Sequence, residues 1–217
     1  MKTMTGPPDF KSASIESGPL RPNRASAPKR LVLTGFMGAG KTTVGGPVAS
    51  ALGWSFVDLD QEIVRAQGAS IPFLFESIGE PAFRELERIA LASALQRQSI
   101  VLALGGGAME SASSRSLLTG DPSTLLIYLE APLEVLLARC DRQRVAETSA
   151  AHRPVLDDRD AIAERFLRRT HFYQAAHWEI ATASRRQTEI AAEILMRWNR
   201  APWKDDQPGN DDSPPSR

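Results

Sequence analysis

The stretch Gly35-Phe36-Met37-Gly38-Ala39-Gly40-Lys41-Thr42 constrains this chain more than any other. It fits G-x-x-x-x-G-K-[ST], a pattern that works only between a strand and a helix. Both flanks are in place: Leu31-Val32-Leu33-Thr34 is a short apolar run that reads as a buried strand, and Thr43 to Leu52 reads as a helix. Glycines let the backbone curl so that several N–H groups face one anion, and the helix N-terminus adds partial positive charge. In such a loop Lys41 reaches the β- and γ-phosphates of a nucleotide, and the Thr42 hydroxyl serves Mg²⁺. A chance glycine-rich turn would need neither flank. Gly38, Ala39, Gly40, Lys41, Thr42 and Thr43 are therefore expected to bind nucleotide.

The rest of the chain alternates in the way this loop requires. Further strands are expected at Ser55–Asp58, Ile100–Leu104, Thr124–Leu129 and, more weakly, Glu179–Ala183. Helices are expected at Gln61–Gln67, Ile71–Ile78, Pro81–Gln98, Pro132–Arg142, Ala161–Tyr173 and Gln187–Trp198. Fully apolar strands alternating with helices predict an α/β three-layer P-loop fold, a five-stranded parallel sheet covered by helices on both faces. Ligands of such sheets sit at the carboxyl ends of the strands. The glycine loop, an acidic pair and a triple glycine all fall there.

At 217 residues the chain allows one domain with some to spare. Its formal net charge is zero, so charge points to neither a nucleic acid nor a membrane surface. Cys140 is the single cysteine, which excludes an intrachain disulfide and points to a reducing compartment, the cytoplasm. Residues 1–29 are rich in Pro, Ser, Gly and Asn and read as a disordered arm. The arm lacks the apolar core of a secretory signal, and Asp9 and Glu16 argue against a transit peptide. Residues 201–217, rich in Pro and Asp, read as a disordered tail. The folded unit is expected at 30–200.

Four groups of residues carry candidate chemistry. Asp58-Leu59-Asp60 ends the second strand, where alternation would turn both carboxylates to one side. Near a phosphate loop, one carboxylate suits Mg²⁺ and the other an acceptor hydroxyl; the plain alternative is that Asp60 caps the next helix. Arg84 and Glu87 share a helix face, either as a solvated ion pair or as an arginine held by Glu87 and aimed at a substrate anion. Gly105-Gly106-Gly107 lets a ligand approach bare backbone, or simply makes a turn. Arg139, Arg142 and Arg144 end one helix, and Arg153-Pro154-Val155-Leu156 follows after a stretch with little pattern. A mobile arginine-bearing lid over about 143–158 would close on a transferring phosphoryl group. Arg168 and Arg169 precede Tyr173 on the following helix.

Taken together, these motifs resemble the shikimate kinase family, within the nucleoside-monophosphate-kinase-like group of P-loop proteins. The resemblance spans Arg30 to Trp198. It rests on the loop at Gly35–Thr42, Asp58-Leu59-Asp60 as the family's D-x-D, and Phe83-Arg84 to Glu87 as its F-R-x-x-E. It rests equally on Gly105–Gly107, on Arg153-Pro154-Val155-Leu156 as its R-P-L-L, and on Arg169 to Tyr173 as its R-x-P-L-Y. The resemblance implies transfer of the ATP γ-phosphoryl to the shikimate 3-hydroxyl. It implies that Lys41 binds phosphates, that Thr42 and Asp58 hold Mg²⁺, and that Asp60 is the base at the acceptor hydroxyl. Arg84 and Arg169 would clamp the shikimate carboxylate, Glu87 would support that pocket, and Gly105, Gly106 and Gly107 would border the substrate. Arg153 would be the lid arginine, Arg139 would stack on adenine, and Arg185 would edge the base. A monomer binding ATP and shikimate is the implied working unit.

The chain also departs from the family. Pro47 lies within the expected loop helix and should bend it, and Gly46 stands where an arginine is common. The stretch from Arg139 to Arg153 is long for the family, so Arg142 or Arg144 is an alternative partner in the lid. His171 replaces a proline, and His177-Trp178 replaces an Ala-Asp pair. Two other readings keep the fold: a kinase of gluconate or another small metabolite, and a non-catalytic ligand sensor.

Overall fold

The computed structural model describes residues 27–146 and 159–201. Five strands form one sheet in the order β2-β3-β1-β4-β5: β1 (Arg30–Thr34), β2 (Ser55–Asp58), β3 (Ile100–Ala103), β4 (Thr124–Glu130) and β5 (Trp178–Ala181). Every pairing is parallel. β1 and β3 are buried at every residue, and β4 at all but its last. Burial of alternate residues pointing both ways requires cover on both faces, which the helices supply. The central strand β1 pairs with β3 on one side and β4 on the other. Its carboxyl end therefore lies at the middle of the sheet edge.

The helices are α1 (Lys41–Leu52), α2 (Leu59–Gln67), α3 (Ile71–Ala94), α4 (Ala112–Thr119), α5 (Leu133–Ala146), α6 (Arg159–Tyr173) and α7 (Gln187–Arg200). Two expected helices are one run in α3, broken by Gly79 at φ 77° and ψ 166° just before Pro81. Gly79 can take this positive-φ conformation because it has no Cβ, and Pro81 two residues later suits the first turn of the second half, so the helix changes direction there. That second half ends at Ala94, short of the expected Gln98. α5 continues to Ala146, so the first residues of the expected lid are helical. The remainder, 147–158 with Arg153, lies outside the described residues, as do 1–26 and 202–217. α4, short and serine-rich, and a 3₁₀ turn at Ala108–Glu110 carry no strong periodicity and were not expected.

α1 runs unbroken through Pro47, whose ring faces solvent. Gly45 in the same helix has a packing reason: a methyl group there would stand 2.4 Å from the Phe56 ring of β2. Among the described residues no helix is long and apolar enough to cross a membrane.

Candidate active site

The loop from β1 to α1 forms the floor of an open cleft of about 1500 Å³ along the carboxyl ends of the strands. Gly38 holds a left-handed backbone at φ 75°. A methyl group there would stand 2.5 Å from the Leu136 carbonyl oxygen of α5. Any side chain would drive α5 off the loop. The Lys41 ammonium folds over the loop and donates to the carbonyls of Gly35 (2.8 Å) and Phe36 (3.2 Å). Burial lowers its pKa to about 8, against the upward pull of the Asp60 and Asp58 charges. The loop N–H groups and the start of α1 add their dipoles at the same spot, so the cleft floor is built for a polyanion.

The Thr42 hydroxyl donates to Asp58 Oδ2 at 2.9 Å. The other Asp58 oxygen accepts from the Gln61 N–H at 3.3 Å and caps α2. The cap is therefore Asp58, not Asp60, and α2 begins at once with Leu59. Strand alternation does not relate the two carboxylates, because β2 ends at the first of them. They nevertheless share the cleft, since the first turn of α2 carries Asp60 onto the same wall. A hydroxyl beside a half-exposed carboxylate is an oxygen-only set suited to a hard cation that keeps waters and phosphate oxygens as its other ligands. Among the described residues no group of three or more His, Cys, Asp and Glu side chains gathers to hold a metal.

Each of the three glycines after β3 lies against charged side chains expected in the site. A methyl group at Gly105 would stand 2.6 Å from Asp60 Oδ1 and 2.8 Å from Glu87 Oε1. At Gly107 it would stand 2.5 Å from Arg84 Nη2, and at Gly106 3.5 Å from Arg169 Nη1. The triple glycine is thus the surface on which the acidic and basic groups are laid, and more than a turn. Tyr173, fully buried, donates its hydroxyl to the Gly106 carbonyl at 2.5 Å and fixes that backbone. Burial raises the Tyr173 pKa, so the phenol keeps its proton.

Arg84 is held by Glu87 (2.8 Å) and Glu80 (2.9 Å), with Glu110 at 3.5 Å. Glu87 is buried, which settles the Arg84–Glu87 pair as an interior one rather than a solvated helix face. Burial raises the Glu87 pKa, with the Arg84 charge opposing. Arg169 lines the cleft and pairs with Glu110 at 3.0 Å. Arg84, Glu87, Gly105 and Gly107 do not line the cleft themselves: Gly105 lies against Asp60, which does, and Arg84 shares Glu110 with Arg169, which does.

At the other end of the cleft, Arg139 donates to the Thr182 hydroxyl (3.0 Å), the Thr182 carbonyl and, at 3.4 Å, the Gly38 carbonyl. It ties α5 to the loop and to the end of β5. Arg185 lines the same end, held by Glu193 and by the Ala181 carbonyl at 3.0 Å. Thr43 lines the cleft beside it, its hydroxyl on the Gly40 carbonyl at 3.0 Å. Of the described residues expected in the site, those of the loop, Asp58, Asp60, Gly106, Arg139, Arg169 and Arg185 line the cleft, whereas Arg84, Glu87, Gly105 and Gly107 lie behind it. The sequence reading missed Glu110, Thr182 and the role of Tyr173. Only Glu110 left a trace, as a lone acid soon after the triple glycine.

The shikimate kinase family model matches residues 37–199. A shikimate kinase of Salinibacter ruber is 38% identical over 179 residues, covering 80% of this chain and 86% of that protein. The solved shikimate kinase from Acinetobacter baumannii in complex with shikimate is 36% identical, with a TM-score of 0.64 over 78% of this chain and 92% of that one. A gluconokinase from Sinorhizobium meliloti, 19% identical with a TM-score of 0.55 over 81% of this chain and 94% of that one, shares the fold.

Proposed function

Since the chain belongs to the shikimate kinase family, we propose that this one cleft holds ATP and shikimate end to end and transfers the γ-phosphoryl group to the shikimate 3-hydroxyl. One observation carries this reading. The same cavity is lined by Lys41 of the phosphate loop and by Asp60, Gly106 and Arg169 of the acceptor end. Donor and acceptor are thereby held in one enclosure, and alignment replaces a bimolecular encounter.

Lys41 and the loop N–H groups hold the β- and γ-phosphates, drawing the ammonium away from the two carbonyls it now serves. Thr42 and Asp58 are the groups that hold Mg²⁺, which supplies charge neutralisation on the phosphates. Arg139 and Arg185 border the nucleoside end. Arg169, with Arg84 behind it, fixes the acceptor carboxylate, and a planar guanidinium suits that two-point contact. This orientation brings the acceptor hydroxyl to Asp60, which accepts its proton as the oxygen attacks phosphorus. Glu87 holds Arg84, and Arg153 is assigned to the transferring group. All assigned residues come from one chain, so a monomer suffices. The reading places the enzyme in the cytoplasm, where its nucleotide is found.

The test is ADP release by the purified protein with ATP and Mg²⁺, with shikimate or gluconate as acceptor. Release that requires shikimate and Mg²⁺ is expected. Equal release with gluconate, or none with saturating shikimate from protein that binds ATP, would reject the assignment.

A further inference from the structure

Glu110 lies in the 3₁₀ turn directly after the triple glycine, and three arginines converge on its carboxylate. Oε1 accepts from Arg169 Nε at 3.0 Å and from Arg168 Nε at 3.3 Å. Oε2 accepts from Arg169 Nη2 at 3.4 Å and lies 3.5 Å from Arg84 Nη2. The Glu110 side chain is 18% exposed, that of Arg169 11% and that of Arg84 20%. Burial alone would raise the Glu110 pKa, but the hydrogen bonds and charges of Arg169 and Arg168 outweigh it and hold the carboxyl ionised.

The contact on Arg169 is edge-specific. Glu110 takes the Nε–Nη2 edge of the guanidinium, while Nη1 is the atom nearest Gly106, on the cleft wall. The side chain is thereby turned so that one edge is consumed inside the protein and the other is presented to the acceptor. Arg84 is joined to the same carboxylate. Without it, Arg84 would keep Glu87 and Glu80, but the two largely buried guanidinium groups would lose the carboxylate they share. Arg168 is half-exposed and free to turn to solvent; Arg84 and Arg169 are not.

We propose that Glu110 is a positioning residue for the acceptor: its carboxylate bridges Arg84 and Arg169 and aims Arg169 Nη1 into the cleft, setting affinity for the substrate carboxylate without touching it. The proposal rests on Arg169 being an acceptor-binding residue, as read above, and the test separates the two.

The full chain is assayed for kcat and for the KM of shikimate and of ATP, in the parent, Glu110→Gln, Glu110→Asp, Arg169→Ala and the Glu110→Gln/Arg169→Ala double variant. Glu110→Gln keeps the shape and loses the charge. It is expected to raise the shikimate KM about tenfold while leaving kcat within about threefold and the ATP KM within about twofold. Glu110→Asp, which keeps the charge at shorter reach, should fall between, and serves if the glutamine variant does not fold. In the Arg169→Ala background, Glu110→Gln should add less than about twofold, since the group it aims is gone. A shikimate KM that is unchanged or lowered by Glu110→Gln, with Arg169→Ala raising it, overturns the role of Glu110 and spares the acceptor site. An unchanged KM in Arg169→Ala overturns both. Equal losses in kcat and both KM values, persisting in the Arg169→Ala background, mark a purely structural role and also overturn the proposal.

Discussion

The Asp60 carboxylate lies directly against Gly105, with room for no atom between them: a methyl group at residue 105 would stand 2.6 Å from Oδ1. The proposed base is thus placed by the absence of a side chain as much as by its own helix. Gly105→Ala should push Asp60 and Glu87 away and lower kcat more than about tenfold, with the ATP KM little changed. Gly107→Ala meets Arg84 instead and should act mainly on the shikimate KM. Steady-state kinetics of the two variants separate these effects, and identical profiles would contradict the assignment of distinct neighbours.

Thr42 and Asp58 are joined at 2.9 Å and are assigned together to Mg²⁺. Thr42→Ala removes one oxygen and leaves the α2 cap intact. The Mg²⁺ concentration for half-maximal rate should rise about tenfold, the loss of one ligand among several that the nucleotide and water still supply. Titration of Mg²⁺ at fixed ATP checks this, and an unshifted midpoint would remove Thr42 from the set.

Lys41 gives the site an alkaline limit. Its pKa is lowered to about 8, so the ammonium is protonated below that pH and loses its charge as pH rises through it. Because kcat/KM reports groups of the free enzyme, kcat/KM for ATP should be level at neutral pH and fall above about 8. The kcat profile should stay level to higher pH, since bound phosphates favour the charged form. A kcat/KM that is flat to about pH 9.5 would contradict the environment described for Lys41.

Much of this site is legible in the sequence because its parts are contiguous and sit at strand ends. The loop at Gly35–Thr42 declares strand, turn and helix within a few residues, and apolar β1, β3 and β4 declare a sheet covered on both sides. Asp58 and Asp60 were rightly paired but for a reason that fails, since no loop separates β2 from α2 and the helix starts between them. Glu110 left only a faint trace, as a lone acid after the triple glycine, because its partners Arg84 and Arg169 lie far off in sequence and a single acid on a short turn has no periodicity. α4 was silent for the same lack of pattern. Thr182 meets Arg139 only through the fold, where the end of β5 returns beside α5.

Pro47 interrupts the backbone ladder of α1, leaving the Thr43 carbonyl without its usual donor. Pro47 is exposed and the helix is unbroken around it, so alanine fits without rearrangement. Pro47→Ala should stabilise the protein by about 1–3 kcal/mol, part of the full helix-interior cost of proline. Urea denaturation measures it, and a destabilised variant would mean that the ring makes a contact the helix needs.

His177 accepts the Leu126 N–H on Nδ1 at 2.8 Å and returns its own N–H to the Leu126 carbonyl at 2.9 Å. It does the work of a strand residue with a side chain. Burial lowers its pKa, so the folded state prefers the neutral ring. The unfolded chain takes up the proton first as pH falls below about 6.5, so stability declines there, by at most about 1.4 kcal/mol per pH unit. Melting temperatures between pH 7 and 5 should drop more steeply in the parent than in His177→Asn. Equal slopes would contradict this role.

The central claim is that one cleft brings ATP to a shikimate hydroxyl held by Asp60. The most direct measurement is phosphorus NMR of reactions containing ATP, Mg²⁺ and shikimate, run with the parent and with Asp60→Asn at matched ATP occupancy. The account predicts a phosphomonoester on the shikimate 3-hydroxyl, formed with ADP by the parent, and a rate at least about a hundredfold lower for Asp60→Asn with ATP binding retained. Formation of the same product at the same rate by Asp60→Asn, or ADP and inorganic phosphate without the ester from the parent, would contradict it.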